Sequence, residues 1–256
     1  MFRHAIVRLP GANFAQGLTR VELGAPSAEL AHDQHRAYCD ALRDCGVTIT
    51  ILPADDSHPD GTFVEDTAVL LPQGAMLTRP GAPSRLAEVG AIRVALSVYF
   101  HEFAQIVAPG TLDGGDICEA GKQVFIGLSH RTNEAGAAQL SAWLHALGYE
   151  ATTVDIRGLD SILHLKSGMS CIGKGRLLVI EELAAHPAFA SFERIVLAPE
   201  EAYAANAIEV NGRILIASGH PKLEAQLRAR GETPIVLDMS EFAKMDGGLS
   251  CLSLRF

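Results

Sequence analysis

Gly247-Gly248-Leu249-Ser250-Cys251-Leu252-Ser253-Leu254-Arg255-Phe256 reads as a glycine turn running into a short strand. A chain end frays unless a sheet ties it down, so this strand needs a neighbour. The apolar stretch Arg3–Arg8 at the other end of the chain is a fitting one. Pairing the two closes a ring and removes two sheet edges. Cys251 is the one reactive side chain here, and the two glycines before it allow close approach of backbone to a neighbour or ligand. Alone, Cys251 reads as a buried structural cysteine, because free Cys is among the most buried residue types. The rest of the chain changes that reading.

Working outward, one pattern recurs: hairpin, helix, strand. The spacing predicts a strand over Thr62–Leu71, its return over Ala75–Arg79, a helix over Ala82–Phe100 and a strand over Phe103–Val107. The next unit opens at Leu112-Asp113-Gly114-Gly115-Asp116 and returns through Val124-Phe125-Ile126. It continues in a helix from Asn133 to Leu147, stopped by Gly148, and a strand over Thr152–Ile156. A third runs from Ile162–Ile172 through Leu177–Ile180 and a short helix near Glu182–Phe192 to Arg194–Leu197. A fourth turns at Asn211-Gly212, a strong hairpin signal, between Asn206–Val210 and Arg213–Ala217. Helix Lys222–Arg230 and strand Pro234–Leu237 follow. The fifth is split: Leu249–Leu254, then Arg3–Arg8, helix Ser27–Cys45 with Ser27 as N-cap, and strand Thr48–Leu52. The openings Asp66, Asp113, His164, Asn206 and Cys251 recur about 45 residues apart, a spacing at which repeats build propeller-like folds. The expectation is one α/β domain over residues 1–256, with five ββαβ units about a pseudo-fivefold axis and the polar openings at its centre.

The totals narrow the chemistry. Hydrophobic residues make up 48% of 256, mean hydropathy is +0.17, and no apolar run reaches the roughly 20 residues of a membrane span. Lys and Arg number 21 against 30 Asp and Glu, a net charge of −9. That balance is wrong for a nucleic-acid backbone and suits a cationic small molecule. Cys39, Cys45, Cys118, Cys171 and Cys251 are odd in number and widely spaced, without a C-x-x-C pair. They read as reduced thiols of a cytoplasmic protein rather than disulfides or a zinc framework.

A thiol, an imidazole, an amide and carboxylates gathered at a hub make a nucleophilic site. The thiolate attacks, a carboxylate behind the imidazole fixes its tautomer, and another can hold a cation. Plainer roles exist for each. The lesser reading of His164 is a core histidine, of Asp113 a turn residue, and of Glu65 and Asp66 a solvated edge pair. Arg85 and Arg131 near helix starts, where the macrodipole prefers an anion, read as anion clamps or as surface arginines. Cys39 and Cys45 read as packing residues.

Phe63-Val64-Glu65-Asp66, Leu112-Asp113-Gly114-Gly115-Asp116, His164-Leu165-Lys166-Ser167, Tyr203-Ala204-Ala205-Asn206 and Asp246-Gly247-Gly248-Leu249-Ser250-Cys251, in that order across the chain, resemble the dimethylarginine dimethylaminohydrolases. The resemblance implies the pentein fold, a five-bladed α/β propeller, and hydrolysis of Nω-methylated arginine to citrulline and an amine. By the same resemblance Cys251 is the nucleophile and His164 the acid and base. Asp113 orients His164, and Asp66 holds the guanidinium. Some family members carry Glu where Asp113 stands, which would set this shorter carboxylate slightly back. Leu18, Asp60, Glu65, Arg85, Arg131 and Met245 would bind substrate, and Gly17–Gly24 would form a lid. No cofactor or metal is implied, and the family points to a homodimer. Two other readings remain: an arginine deiminase or amidinotransferase of the same fold, and a non-catalytic arginine- or zinc-binding module.

Overall fold

Short strands alternating with single helices build five three-stranded sheets. The computed structural model describes residues 1–256. β1 (His4–Arg8) leads through α1 (Ala28–Asp44) to β2 (Thr48–Leu52). β3 (Ala68–Leu71) and β4 (Gly74–Leu77) form a hairpin, and α2 (Glu88–Leu96) carries the chain to β5 (Phe103–Gln105). β6 (Ile117–Ala120), β7 (Gln123–Leu128), α3 (Glu134–Ala146) and β8 (Glu150–Asp155) repeat the scheme. After α4 (Leu165–Gly168) come β9 (Met169–Cys171), β10 (Arg176–Val179), α5 (Glu181–Ala184) and β11 (Glu193–Val196). β12 (Ile208–Val210), β13 (Arg213–Ala217), α6 (Pro221–Ala229) and β14 (Ile235–Leu237) form the next unit, and α7 (Ser240–Ala243) precedes β15 (Leu254–Arg255). In each sheet the middle strand lies antiparallel to the first and parallel to the third. β15 completes the first sheet by pairing with β1, Ala5 opposite Arg255 and Ile6 opposite Leu254.

The first strand of each unit starts later than the spacing predicts. A helical turn precedes it: Val64–Thr67, Gly114–Asp116, α4, Pro199–Ala205 and Ser250–Leu252. Polar side chains in these turns bond to backbone, as Thr67 Oγ1 does to the Val64 carbonyl at 2.6 Å, and such bonds compete with strand ladders. Prolines divide two predicted helices. Pro83 opens a separate turn before α2, and Pro187 separates α5 from the turn Pro187–Phe189. α7 and the turn Pro199–Ala205 are too short for periodicity to show. The local signals held elsewhere. Ser27 Oγ caps α1 by accepting from the Leu30 amide at 3.3 Å, and Asn211 and Gly212 take positive φ, 52° and 87°, as a two-residue hairpin turn asks.

Apolar clusters lie between neighbouring units. Ala137, Leu140 and Leu144 of α3 pack with Val69 and Leu71 of β3 and Val124 and Ile126 of β7. Fully burying such a side chain contributes about 1.5–3 kcal/mol. These clusters join the units laterally and leave the centre to polar groups.

Candidate active site

The five turns are tied in a circle. The Gly115 amide donates to Asp66 Oδ1 at 2.8 Å, and the Leu165 amide to Asp116 Oδ1 at 3.0 Å. Asn206 Nδ2 donates to the Lys166 carbonyl at 3.1 Å, and the Ser250 amide to Asn206 Oδ1 at 2.9 Å. Ser250 Oγ then donates to Glu65 Oε2 at 2.7 Å, beside Asp66 where the circuit began. An unpartnered buried polar group costs about 1–3 kcal/mol, so these residues are tolerable at the hub because they satisfy one another.

His164 Nε2 and Asp113 Oδ2 are 3.0 Å apart. Asp113 is fully buried. Its other oxygen accepts from the Gly81 amide at 2.7 Å, and its own amide donates to Thr132 Oγ1 at 3.1 Å. The carboxylate is therefore fixed before it touches the imidazole. Burial alone would lower the His164 pKa, but Asp66, the hydrogen bond to Asp113, and Asp116 raise it to about 9. His164 is an imidazolium at neutral pH. Its Nδ1 lies over Gly115, where a Cβ would sit 2.8 Å away, so only glycine leaves the ring its place. Asp116, itself fully buried, is pushed up to about 6 by burial against the pull of His164.

Asp66 Oδ2 pairs with Arg85 Nη1. Burial would raise Asp66, yet the charges of His164 and Arg85 hold it well below the usual carboxylate range. Arg85 is 4% exposed. Its Nε and Nη2 bond to Glu88 at 2.8–3.2 Å, and Nη2 also donates to the carbonyls of Phe63 at 2.9 Å and Asp60 at 3.3 Å. Arg131 is freer: its nearest charged partner is Asp113, at 3.9 Å.

Cys251 lies one residue beyond Ser250 in the last turn, its Sγ 4.0 Å from Ser250 Oγ. No hydrogen bond joins it to the imidazole. Burial pushes the thiol up to about 12, with Glu65 and Asp66 adding to the rise, so it rests protonated. Glu65 points to another side of the hub than Asp66. Its Oε1 pairs with Lys166 Nζ at 2.6 Å, and it lines a cavity of about 840 Å³ with Glu119, Lys166, Ser170, Ser250 and Arg255. None of Asp66, Asp113, His164 and Cys251 lines that cavity.

The predicted lid is strapped over neighbouring residues. The Leu18 amide donates to Asp60 Oδ1 at 2.9 Å, Thr19 Oγ1 to the Lys244 carbonyl at 3.0 Å, and the Arg20 amide to Asp246 Oδ2 at 2.6 Å. Burial raises the Asp60 pKa against the pull of Arg85. Met245 is buried, and its Cε would lie 3.3 Å from a Cβ on Gly17. Leu18, Asp60 and Met245 are thereby gathered at one segment. Arg20, Val21 and Leu23 line a second cavity of about 510 Å³ with Asn206, Gly247 and Gly248.

Asp66, Asp113 and His164 offer ligand atoms within 4.8 Å of one another. Those atoms are already committed to Arg85, Gly115, Gly81 and each other, and two cationic groups stand among them. The donor set therefore suits a cationic side chain better than a metal ion. Ser250, Lys166 and Asp116 complete the hub and were not singled out by sequence reasoning. Each stood inside a quoted motif, Asp116 in Leu112–Asp116, Lys166 in His164–Ser167 and Ser250 in Asp246–Cys251, but none was given a role of its own.

A family model described as "N,N dimethylarginine dimethylhydrolase, eukaryotic" matches residues 24–251. The chain is 40% identical to an N(G),N(G)-dimethylarginine dimethylaminohydrolase of Pseudomonas aeruginosa, with both chains covered completely. It is 36% identical to the protein of the same name in Streptomyces coelicolor, over 99% of this chain and 96% of that one. The Pseudomonas enzyme, solved as a cysteine-to-serine mutant complexed with citrulline, superposes over both full chains with a TM-score of 0.96 at 40% identity. A histidine-to-glycine dimethylarginine dimethylaminohydrolase, an adduct with S-methyl-L-thiocitrulline, gives the same TM-score, identity and coverage. The amino-terminal domain of a cyanobacterial arginine dihydrolase shares the fold at 18% identity, TM-score 0.87, over 98% of this chain and 96% of that one.

Proposed function

The chain belongs to the dimethylarginine dimethylaminohydrolase family, and on that premise we propose how its own residues hydrolyse Nω-methylated arginine to citrulline and an amine. The observation that carries the assignment is the hydrogen-bonded pair of His164 and Asp113, at the starts of two turns of the hub circle, with Cys251 on a third. The 256 residues act as one domain.

The resting thiol is protonated because it is half-buried, desolvated and near two carboxylates. A substrate guanidinium brought alongside supplies the opposite charge, which favours the thiolate, and the thiol proton leaves to solvent as substrate binds. Sulfur then attacks the guanidinium carbon and a C–S bond forms. The C–N bond to methylamine or dimethylamine breaks as the imidazolium of His164 delivers its proton to the departing nitrogen. That leaves His164 neutral, so it can take a proton from the water that attacks the thiouronium carbon. The C–S bond breaks, citrulline forms, and Asp113 stabilises each new imidazolium.

Asp66 receives the substrate guanidinium, sharing its carboxylate with Arg85, and Asp60, Leu18 and Met245 border the substrate; Glu65, committed to Lys166 and Ser250 on the other side of the hub, does not. Arg131, which makes no side-chain hydrogen bond, is the better placed of the two arginines to take the substrate carboxylate. Cytoplasmic location and a homodimer belong to the same reading. Five free cysteines support a reducing compartment, no helix is long and apolar enough to cross a membrane, and sedimentation measures the assembly.

The test is steady-state citrulline formation from asymmetric dimethylarginine, monomethylarginine and arginine. Methylated substrates should turn over faster, and faster turnover of plain arginine would make the chain a deiminase. Cys251→Ser should abolish turnover while substrate still binds; retained activity removes the nucleophile.

A further inference from the structure

Asn206 opens the fourth unit as Asp66, Asp113, His164 and Cys251 open the others, yet the mechanism gives it nothing to do. We infer that Asn206 is the positioning residue that sets the distance between Cys251 and His164. The inference rests on the roles proposed for those two residues.

The two catalytic groups share no hydrogen bond, so something else must hold their turns in register. Two side chains span both turns. Glu65 does so through side-chain tips, Lys166 Nζ and Ser250 Oγ. Asn206 does so through backbone. Its Nδ2 donates to the Lys166 carbonyl, two residues past His164, and to Ser250 Oγ, both at 3.1 Å. Its Oδ1 accepts from the amide of Ser250, the residue before Cys251, at 2.9 Å. Both amide protons and the carbonyl are thereby used, and the side chain is 93% buried, at 7% exposure. Gly248 closes over the carboxamide: a Cβ there would lie 2.5 Å from Asn206 Cγ and Oδ1. The glycine upstream of the nucleophile is thus required by the clamp. Asparagine suits the place because the clamp needs an acceptor and two donors on one short, uncharged group; a carboxylate would face the Lys166 carbonyl with no proton.

The test compares Asn206→Ala and Asn206→Asp with the unmodified enzyme, below the melting onset of each. A misplacement of about 1 Å can cost about 10²-fold, so kcat should fall about 10–100-fold while KM stays within about threefold. In Asn206→Ala the alkylation of Cys251 by iodoacetamide, which needs no His164, should stay within about threefold of the unmodified rate. Gly248→Ala, which pushes on the same carboxamide, should repeat the kcat loss. A folded Asn206 variant with kcat within about twofold of the unmodified enzyme overturns the inference. So does an alkylation rate in Asn206→Ala that falls as far as kcat, because the effect then lies on the thiol itself. Failure of both Asn206 variants to fold also overturns it, making Asn206 a scaffold residue. If Cys251→Ser keeps turnover, the reading of the site falls first; if Cys251→Ser is inactive and Asn206→Ala is not, this inference alone falls.

Discussion

Glu65 and Asp66 are consecutive residues of one turn, 5% and 3% exposed, and they serve different sides of the hub. Asp66 is bonded to Gly115 and Arg85, within reach of His164 and Asp113. Glu65 lines the larger cavity and is bonded to Lys166 and Ser250. Burial and charge are nearly the same, so neither decides the role of a hub carboxylate. Its neighbours do. On the Asp66 side, opposite charges accumulate around an imidazole and shift its protonation. On the Glu65 side, Lys166, the more distant Arg255 and one hydroxyl close the ring. Substitutions on the first side should therefore read out in turnover, and those on the second in stability.

Asp113→Asn tests the first half and should have the largest effect. The shape is kept, and the bond from the Gly81 amide to Oδ1 can persist. The atom facing His164 Nε2 becomes a donor, however, so the ring loses support for its charged form. A fall in kcat of about 10³-fold is expected from citrulline formation at neutral pH. A loss under about tenfold would mean that this carboxylate does not orient the acid and base.

Lys166→Met tests the second half. It leaves the buried Glu65 carboxylate with only the more distant Arg255, 3.9 Å away, and breaking a buried pair in this way costs up to about 3–5 kcal/mol. Chemical denaturation should show most of that loss, while kcat in the folded variant drops less than about tenfold. Adding Glu65→Gln removes the stranded charge and should recover more than half of the lost stability, a coupling expected of neighbours. Turnover lost as completely as in Asp113→Asn would erase the distinction between the two sides.

Much of this arrangement was legible in the chain. The recurring unit, the openings, the Ser27 cap and the Asn211-Gly212 turn are local signals, and local physics expresses them. The turns before each first strand were not legible, because bonds that cross the hub act with the local side-chain bonds in favouring them. Ser250 reaches Glu65 over 185 residues, and Lys166 reaches it over 101. No periodicity carries such distances. Arg85 illustrates the same limit. Near a helix start it reads as an anion clamp, and the anions it grips in this structure are the protein's own Asp66 and Glu88. Asn206 was visible as a member of the repeat, but its role depends on which two backbones it touches.

The two sides should also separate in pH, with the smallest of these effects. His164 carries a folded pKa of about 9 against an ordinary 6.5. The folded state therefore binds its proton more tightly than the unfolded chain. The stability this supplies is fully present below pH 6.5 and is lost as pH rises through about 9; a shift of this size is worth about 3 kcal/mol. On the cavity side the group to watch is Glu119. Its side chain is exposed in the cavity, and desolvation there pushes it up to about 7, against the pull of Lys166 and Arg255; solvent screening keeps its effect on stability small. A raised carboxyl also favours the protonated folded state, so its contribution fades in a lower window, from pH 4.5 through about 7. Denaturation free energies measured from pH 4 to 10 should then fall in two stages. Glu119→Gln should shrink the lower stage without removing it, since glutamine does not titrate but buried Asp116, raised to about 6, still does, and Asp113→Asn should shrink the upper one by withdrawing the bond that holds the imidazolium. If either substitution flattens both windows, the hub titrates as a single unit and the two sides are not separate.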